Sequence, residues 1–203
     1  MPRTGARGGP QTRAKIAEVA ARMFLERGFD GVTVAEVARA AGVSSVTVFK
    51  HFPRKEDLFL DRAVDAVEVL QSAVRDRAPG VDVLASLRDA TLRLIDDRHP
   101  LSGVNDRSTP FFRTVAASPT LIARAREIAA DLQATLAEEL ARDPAFAGDG
   151  PLLAAFFIAG YGTVLTETAR RLIAGDSRGE VVDDHRARFE RMFDVLGNGF
   201  GGG

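Results

Sequence analysis

One stretch of this sequence, residues 33–52, carries side chains whose types and spacing suit contact with a polyanion. The residues concerned are Ser44, Ser45, Thr47, Lys50 and His51. Hydroxyl, ammonium and imidazole groups make hydrogen bonds with phosphate oxygens and with the base edges in the major groove of DNA. This combination indicates a nucleic-acid contact, provided that the local structure presents these groups on one exposed face.

Two short helices joined by a tight turn would hold these side chains in place. Thr33 is placed to cap the first helix, and Glu36, three residues later, completes a capping box. Gly42 supplies the left-handed residue that ends this helix, and Ser44 is a second N-cap. The second helix is then expected from about Ser45 to His51.

The apolar positions of the second helix predict which of its faces meets solvent. Val48 and Phe52 are four residues apart and are expected to face the core. The side chains expected to face outward are Ser45, Val46, Phe49 and Lys50, with Thr47 and His51 at the margins. A short exposed helix of this kind suits the major groove. The alternative is a helical hairpin that only fills a core.

Charge is unevenly distributed along a chain whose formal net charge is −1. Residues 1–62 hold eleven Lys and Arg against seven Asp and Glu, a balance of +4. Residues 63–203 hold sixteen against twenty-one, a balance of −5. A basic head on an acidic body indicates a polyanionic partner for the head alone. Chance asymmetry in a neutral protein is the alternative.

Two further helices are expected around the helical pair. The first runs from about Thr12 to Arg27, and a fourth follows Pro53 and runs from about Lys55 to Arg77. Free backbone N–H groups at the start of the fourth helix, beside Arg54 and Lys55, predict a phosphate site. A plain solvated helix start is the alternative.

Residues 12–62 resemble the DNA-binding head of the TetR family of transcriptional regulators. The resemblance rests on G-F-D-G-V-T-V-A-E-V-A-R-A-A-G-V-S-S-V-T-V-F-K-H-F-P-R-K-E-D-L-F, Gly28 to Phe59. It implies an all-helical, homodimeric repressor, and many members release DNA when a small ligand binds the C-terminal domain. It also implies that Thr33 and Lys55 contact phosphate. The residues that it places in or beside the groove are Ser44, Ser45, Val46, Thr47, Lys50 and His51.

Three residues of the head depart from the family pattern, and we keep all three in the expected DNA-binding surface. Val46 stands where many members have Gly or Pro, and it either reads a thymine methyl or changes how deeply the helix sits. Phe49 stands where most have Tyr, so a phenolic hydroxyl to phosphate is lost. Arg54 stands where Ser or Asn commonly caps the next helix, and it is a poor cap whose charge compensates at the DNA backbone.

The remainder of the chain predicts a larger helical domain, since nothing alternates with the period of two expected of a strand. The predicted fold is all-α with about nine helices: a three-helix helix-turn-helix head joined by the fourth helix to a body for ligand binding and dimerisation. The predicted organisation is a disordered arm at 1–11, the head at 12–62, the body at 63–196 and a disordered tail at 197–203.

The last two long helices, near 151–174 and 179–196, carry more apolar surface than one domain of this size needs. In the family the corresponding pair joins its two-fold mate as a four-helix bundle, so the resemblance implies a homodimer. Two recognition helices must also lie one DNA turn apart to read a palindrome. A homodimer bound to a palindromic operator is therefore expected.

A ligand pocket in such a body would lie among the predicted fifth to eighth helices. The candidate lining residues are Leu94, Phe111, Phe112, Phe156, Tyr161 and Leu165. Each of them alone is equally a core residue. Tyr161 is the only tyrosine, and its hydroxyl needs a ligand, a side chain or a backbone carbonyl as its partner. Few charges interrupt these helices, which predicts an apolar or aromatic ligand.

Other function classes find little support in the residues. The chain has no cysteine and three scattered histidines, so we expect neither a disulfide nor a metal site. It has no G-x-S-x-G, P-loop or H-E-x-x-H motif, so we expect neither an enzyme nor a nucleotide cofactor. No apolar run approaches 18 residues and no secretory signal is visible, which predicts a cytoplasmic protein with no membrane span.

Two other interpretations stay open at this point. One is a DNA-binding activator, or a regulator controlled by a protein partner without a small ligand. A body with no enclosed cavity would favour it. The other is a helical enzyme or carrier that happens to contain a helix-turn-helix, and turnover without operator binding would support it.

Overall fold

The structure, a computed structural model, describes residues 9–200, and within that range it contains helices and no strand. This confirms the predicted all-α class. The elements in chain order are α1 (Gly9–Arg27), α2 (Val34–Ala41), α3 (Ser45–His51), α4 (Lys55–Phe59), α5 (Ala63–Arg75), α6 (Val83–Asp96), a 3-10 helix (Pro100–Ser102), α7 (Ser108–Ala116), α8 (Pro119–Arg142), α9 (Gly150–Ala174) and α10 (Arg178–Phe200).

The chain divides into two compact units. The first runs to Asp61 and includes Thr114–Arg124, and the second comprises Arg62–Arg113 and the residues from Ala125 onward. In the first unit α1 packs against α2, α3 and α4. The fully buried side chains of this unit include Ile16, Phe24, Val32, Val37, Val48, Phe52, Leu58 and Leu121. This apolar centre fixes α2 and α3, which carry the predicted contact residues.

The second unit is organised around the long helices α9 and α10, and α6 packs against both α5 and α10. One core cluster joins five helices through Leu70, Leu87, Leu140, Phe157 and Phe193. A smaller cluster is formed by Ile95, Val104, Val164 and Phe189. Packing of this kind, rather than intrinsic helix propensity, is the main source of helix stability in proteins.

A buried carboxylate links α5 to α8 within the second unit. Glu139 is 3% exposed, and its Oε2 accepts a hydrogen bond of 2.6 Å from Nε of Arg75. Gln71 donates to the other carboxylate oxygen at 3.3 Å. The hydrogen bond from Arg75 lowers the pKa of Glu139 despite the opposing effect of burial. The negative charge is therefore paired and hydrogen-bonded, as a buried charge must be.

The predicted fourth helix is two helices in the structure. Regular α-helix stops after Phe59, and Leu60 has φ −95° and ψ 40°, outside the helical region. A new helix, α5, starts at Ala63. The apolar spacing continues across the break, because Phe59 and Ala63 are still four residues apart. The sequence pattern therefore could not show the interruption, and the predicted count of about nine helices becomes ten α-helices in residues 9–200.

Both predicted chain ends are more helical than expected. Helix α1 begins at Gly9, not at about Thr12, because proline is well accommodated in a first helical turn and Pro10 does not delay the start. Helix α10 continues to Phe200, through residues 197–200 that were predicted as tail, since each glycine costs a helix only about 1 kcal/mol. The rest of the predicted arm and tail, residues 1–8 and 201–203, lies outside the described residues.

Helix α9 stands apart in its composition. By length and composition, it is the one helix in residues 9–200 that could cross a membrane, although the core helix of a soluble protein passes the same test. Only 28% of its most apolar window is buried within the chain. The exposed side chains on this helix include Leu152 and Phe156. Part of the apolar surface of α9 is therefore exposed on the single chain.

Candidate nucleic-acid interface

A complete capping box starts α2, as the sequence predicted. The Thr33 hydroxyl oxygen accepts a hydrogen bond from the Glu36 backbone N–H at 3.2 Å, and Glu36 Oε2 accepts one from the Thr33 N–H at 2.8 Å. Arg27 donates to the second oxygen of Glu36 at 2.7 Å. These bonds, led by the one from Arg27, lower the pKa of Glu36 to about 2. The start of α2 is thus held as a charged, fully bonded unit.

The turn between α2 and α3 uses the two residues that the sequence indicated. Gly42 has φ 71° and ψ 33°, a left-handed conformation that strains any residue with a Cβ. Val43 N–H closes the turn on the Ala38 carbonyl at 2.9 Å. Ser44 then caps α3, because its hydroxyl oxygen accepts the Thr47 N–H at 3.1 Å. Helix α3 is therefore fixed at its start by local bonds.

Helix α3 presents the face that its apolar spacing predicted. Val48 and Phe52 are at most 1% exposed and anchor it to the first unit. Val46 is 79% exposed and Phe49 is 49% exposed, and Lys50 is also exposed. Thr47 and His51 are half-buried at the margins, as expected, whereas Ser45, which was expected to face outward, is half-buried as well. The outward surface of α3 is thus a mixed one, with an ammonium group beside two apolar side chains.

The start of α4 differs from the predicted long helix. Helix α4 has five residues, so a strong helix dipole does not act there. Arg54 makes no side-chain cap bond, as expected, but its backbone N–H donates to Asp57 Oδ2 at 3.1 Å. Lys55 Nζ lies 4.2 Å from the centroid of the Phe29 ring. Lys55 is half-buried and is held by this cation–π contact.

Two residues near this site were not found by the sequence. Asp57 accepts the Arg54 N–H with one oxygen and an Nε–H of Arg124 with the other, at 2.8 Å. The three-residue spacing from Arg54 to Asp57 is a capping signal that could have been read. Arg124 is 67 residues away in the chain, and no local pattern indicates it. The backbone at Arg54 is therefore linked through Asp57 to a residue of α8 within the same unit.

The six candidate ligand residues are only partly brought together. Phe112 and Leu165 both lie against Gly103, where an added Cβ would meet Leu165 Cδ2 at 2.7 Å and Phe112 Cζ at 3.2 Å. The rings of Phe111 and Phe112 are in contact, with centroids 5.6 Å apart. Leu94 is half-buried on α6.

Phe156 does not fit the predicted enclosed pocket, since 51% of it is exposed. The error has a physical cause: α9 is apolar on all faces in its first half, so spacing alone does not identify its inward side.

The hydroxyl of Tyr161 was expected to need a ligand, a side chain or a backbone carbonyl as its partner. In the structure the partner is a backbone carbonyl. The Tyr161 hydroxyl donates to the Leu101 carbonyl oxygen at 3.1 Å. Its ring centroid lies 4.7 Å from that of Phe189 and 6.0 Å from that of Phe157. Burial raises the pKa of Tyr161 far above its ordinary value. The hydroxyl is thus satisfied by the fold itself.

Two surface depressions of the second unit lie elsewhere. One, of about 410 Å³, is lined by residues 77–83 with Ala145 and Phe146. The other, of about 340 Å³, is lined by residues that include Arg98, Asp106 and Arg178. Neither includes any of the six candidates. In the part of the chain described here, no three His, Cys, Asp or Glu residues are grouped so as to hold a metal ion.

A buried histidine in the second unit is a feature whose environment the sequence did not reveal. His185 is 0% exposed, and its Nδ1 lies 2.7 Å from the hydroxyl of Thr168. Its Nε2 has no hydrogen-bond partner, and its ring meets Phe189 edge-on at 4.9 Å. Burial lowers the pKa of His185 to about 4, against opposing effects of the Ser102 backbone and of Asp184. The imidazole is therefore neutral at ordinary pH.

Comparison with known proteins finds that part of this chain is similar to bacterial regulators. Residues 16–61 match the family model for bacterial regulatory proteins of the tetR family. The HTH-type transcriptional regulator AcrR of Shigella flexneri is 29% identical over 99 residues, which cover 47% of this chain and 46% of that protein. The chain thus matches about half the length of this curated relative.

Solved structures resemble most of the chain. NalD, the secondary repressor of the MexAB-OprM multidrug efflux pump in Pseudomonas aeruginosa, superposes with a TM-score of 0.58 at 20% identity over 96% of this chain and 98% of NalD. A SmeT–triclosan complex superposes with a TM-score of 0.62 at 16% identity over 94% of this chain and 91% of SmeT. At such identities the likeness shows a shared fold.

Proposed function

We propose a function for this chain from the premise that it belongs, through residues 16–61, to the TetR family of bacterial regulatory proteins. It is a cytoplasmic, homodimeric transcriptional repressor that binds a palindromic operator and releases it when a small apolar or aromatic ligand binds the body. The head, residues 12–62, binds DNA, and residues 63–196 carry dimerisation and ligand binding. It needs no metal or cofactor and catalyses no reaction.

The observation that carries DNA binding is the outward face of α3. A seven-residue helix is capped at Ser44, anchored by Val48 and Phe52, and directs Lys50 and Val46 to solvent. Such a helix fits the major groove, where its ammonium donates to guanine O6 and N7. Thr33 and Lys55 lie at the starts of α2 and α4, where they are proposed to contact phosphate. The basic balance of residues 1–62 supports the same partner.

The proposal of a homodimer rests on the surface of the last two helices. Leu152 and Phe156 on α9 are 44% and 51% exposed, and Val195 on α10 is 71% exposed. A second copy of this pair would cover these side chains in a bundle. A dimer also presents two α3 helices to half-sites one DNA turn apart, about 34–36 Å.

The proposal of a small apolar ligand rests on two observations. Phe112 and Leu165 both lie against Gly103, and a structural neighbour is described as a complex with triclosan. A ligand would have to bind the DNA-free state more tightly than the DNA-bound state, since equal binding shifts nothing. The second candidate, control by a protein partner, is favoured by the two depressions, which include none of the predicted ligand residues.

The test is a selection of bound sequences from random duplex DNA at a stated salt concentration. We expect a palindrome with half-sites about one turn apart. The Lys50→Ala variant should bind the selected duplex roughly 10- to 100-fold more weakly, because one groove contact is lost. The matched control is Arg126→Ala, which removes an equal charge from an exposed position of α8 and should bind normally.

Two results would refute the proposal. One is no enrichment over random sequence, and the other is equal affinity of the Lys50→Ala protein and the wild type for the selected duplex. Affinity should also fall with salt by a slope of about −0.9 for each neutralised phosphate. A duplex selected at low salt should therefore be released steeply as salt is raised.

A further inference from the structure

Val46 and Phe49 form an apolar ridge on the otherwise polar outer surface of α3. Val46 is 79% exposed, the most of any large hydrophobic residue among those described, and Phe49 is 49% exposed. Scattered exposed apolar residues are ordinary on protein surfaces. These two are three positions apart on a short helix, so they share a face and lie about 5–6 Å apart at Cβ. Together they are the large apolar side chains on the exposed face of α3.

Within a major groove this ridge has one chemical complement. The base edges there present hydrogen-bond donors and acceptors, and the single apolar group among them is the C5-methyl of thymine. Placing the Val46 and Phe49 side chains against polar base edges would remove water from those edges without replacing its hydrogen bonds. Placing them against thymine methyls removes apolar surface from water on both sides.

We infer that Val46 and Phe49 are specificity-determining residues that read the C5-methyl groups of thymines in each half-site. The spacing of the pair exceeds one base-pair rise of about 3.4 Å and is less than two. With α3 lying along the groove, as proposed, this spacing places the two methyls on neighbouring base pairs. Lys50, one position beyond Phe49, adds a polar contact on the same face. This inference rests on the proposed function, because it requires that α3 enters the major groove.

The test uses deoxyuridine, which pairs as thymine does and lacks only the C5-methyl. Starting from the palindrome recovered by selection, each thymine is replaced in both half-sites, one position at a time. The wild-type protein should lose about fourfold in affinity per methyl, the factor that corresponds to ~0.8 kcal/mol. Replacing one thymine in both half-sites removes two methyls, so binding should weaken about 15-fold. This loss is expected at each of two neighbouring positions and at no other position.

Variants of Val46 and Phe49 show which of the two side chains contacts each thymine methyl. Val46→Ala should bind the thymine duplex more weakly and should distinguish thymine from deoxyuridine by less than twofold at one of the two positions. Phe49→Ala should do the same at the other. Val46→Thr keeps one methyl and should keep part of the discrimination. Because Val46 is so exposed, these variants should melt at the wild-type temperature.

The matched control is Lys50→Ala, which should bind more weakly overall but retain full discrimination at both thymines. The inference is overturned if the wild type binds every deoxyuridine duplex as tightly as the parent duplex, or if Val46→Ala keeps full discrimination. Either result leaves the proposed DNA binding intact. Failure to recover any duplex in the selection would instead remove the proposed function, and the inference with it.

Discussion

Lowering the pH from 7.5 to 5 is expected to destabilise this protein by about 2 kcal/mol through one side chain, His185. The imidazole is buried, one nitrogen meets the Thr168 hydroxyl, and the other has no partner. Protonation would place a charge in this apolar site beside the edge-on contact with Phe189. The neutral form is therefore strongly favoured in the folded chain.

The magnitude follows from the two pKa values. The pKa of His185 is about 4 in the folded chain and 6.5 in the unfolded one. Because the folded pKa is lowered, the unfolded chain binds the extra proton first. The stabilising contribution is complete above pH 6.5 and is lost as pH falls toward 4. At pH 5 the loss is about 2 kcal/mol, which corresponds to ~4–8 °C in melting temperature for a chain of this size.

The two carboxylates with lowered pKa values that are described above, Glu36 and Glu139, should contribute little to the change in stability between pH 5 and 7.5. Glu36 has a folded pKa of about 2 and an ordinary value of 4.5, so its contribution is present above pH 4.5 and is lost only below it. The pKa of Glu139 is likewise lowered in the fold. Stability between pH 5 and 7.5 should therefore follow the histidine.

The assay is urea unfolding at pH 5, 6 and 7.5, followed by circular dichroism at constant ionic strength. His185→Asn keeps a hydrogen-bonding group near Thr168 and does not titrate, so its stability should vary much less over this range. The control His51→Asn removes a half-buried histidine from α3 and should retain the wild-type slope. Equal stability of the wild type at pH 5 and 7.5, or an unchanged slope in His185→Asn, would refute the reasoning.

Three further predictions concern stability and assembly. Glu139→Ala should lower the free energy of unfolding by about 2 kcal/mol, since a buried, charge-assisted hydrogen bond is lost, whereas replacement of its exposed neighbour Glu138 should change it by less than ~0.5 kcal/mol. Chemical denaturation compares the two, and equal effects would contradict the role of burial. Gly42→Ala should cost about 1 kcal/mol because φ is positive there, and an unchanged melting temperature would contradict this. Phe156→Asp should convert the proposed dimer to monomer in sedimentation velocity, while Val64→Asp, at a similarly exposed position of α5, should not; a dimeric Phe156→Asp protein would place the interface elsewhere.

The parts of the head that could be predicted are those whose signals are local. The capping box at Thr33, the left-handed Gly42 and the cap at Ser44 each depend on bonds that close within five residues. The face of α3 followed from Val48 and Phe52 for the same reason. Short-range hydrogen bonds and helical spacing depend only on residues that are close in the sequence, so one sequence is enough to predict them.

The features that were not predicted depend on contacts between residues far apart in the chain, or lie where the apolar pattern is the same with and without the feature. The bond from Arg124 to Asp57 joins residues 67 positions apart, and no nearby pattern marks either as its partner. The break after Phe59 leaves the apolar spacing intact, so periodicity does not reveal it. Phe156 was assigned to the wrong side of α9 because an all-apolar stretch has no distinct inward face. Contact of any head residue with DNA stays a prediction.

Tyr161, which donates a hydrogen bond to the Leu101 carbonyl, makes the protein's own fluorescence a probe of one position. The chain contains no tryptophan and this single tyrosine, so its near-ultraviolet emission comes from one ring in the second unit. The head, which holds phenylalanine as its aromatic residue type, contributes almost nothing to that signal. The natural protein is therefore already labelled at one site, and a change in tyrosine emission when an effector is added reports on the junction of α9 with the 3-10 helix.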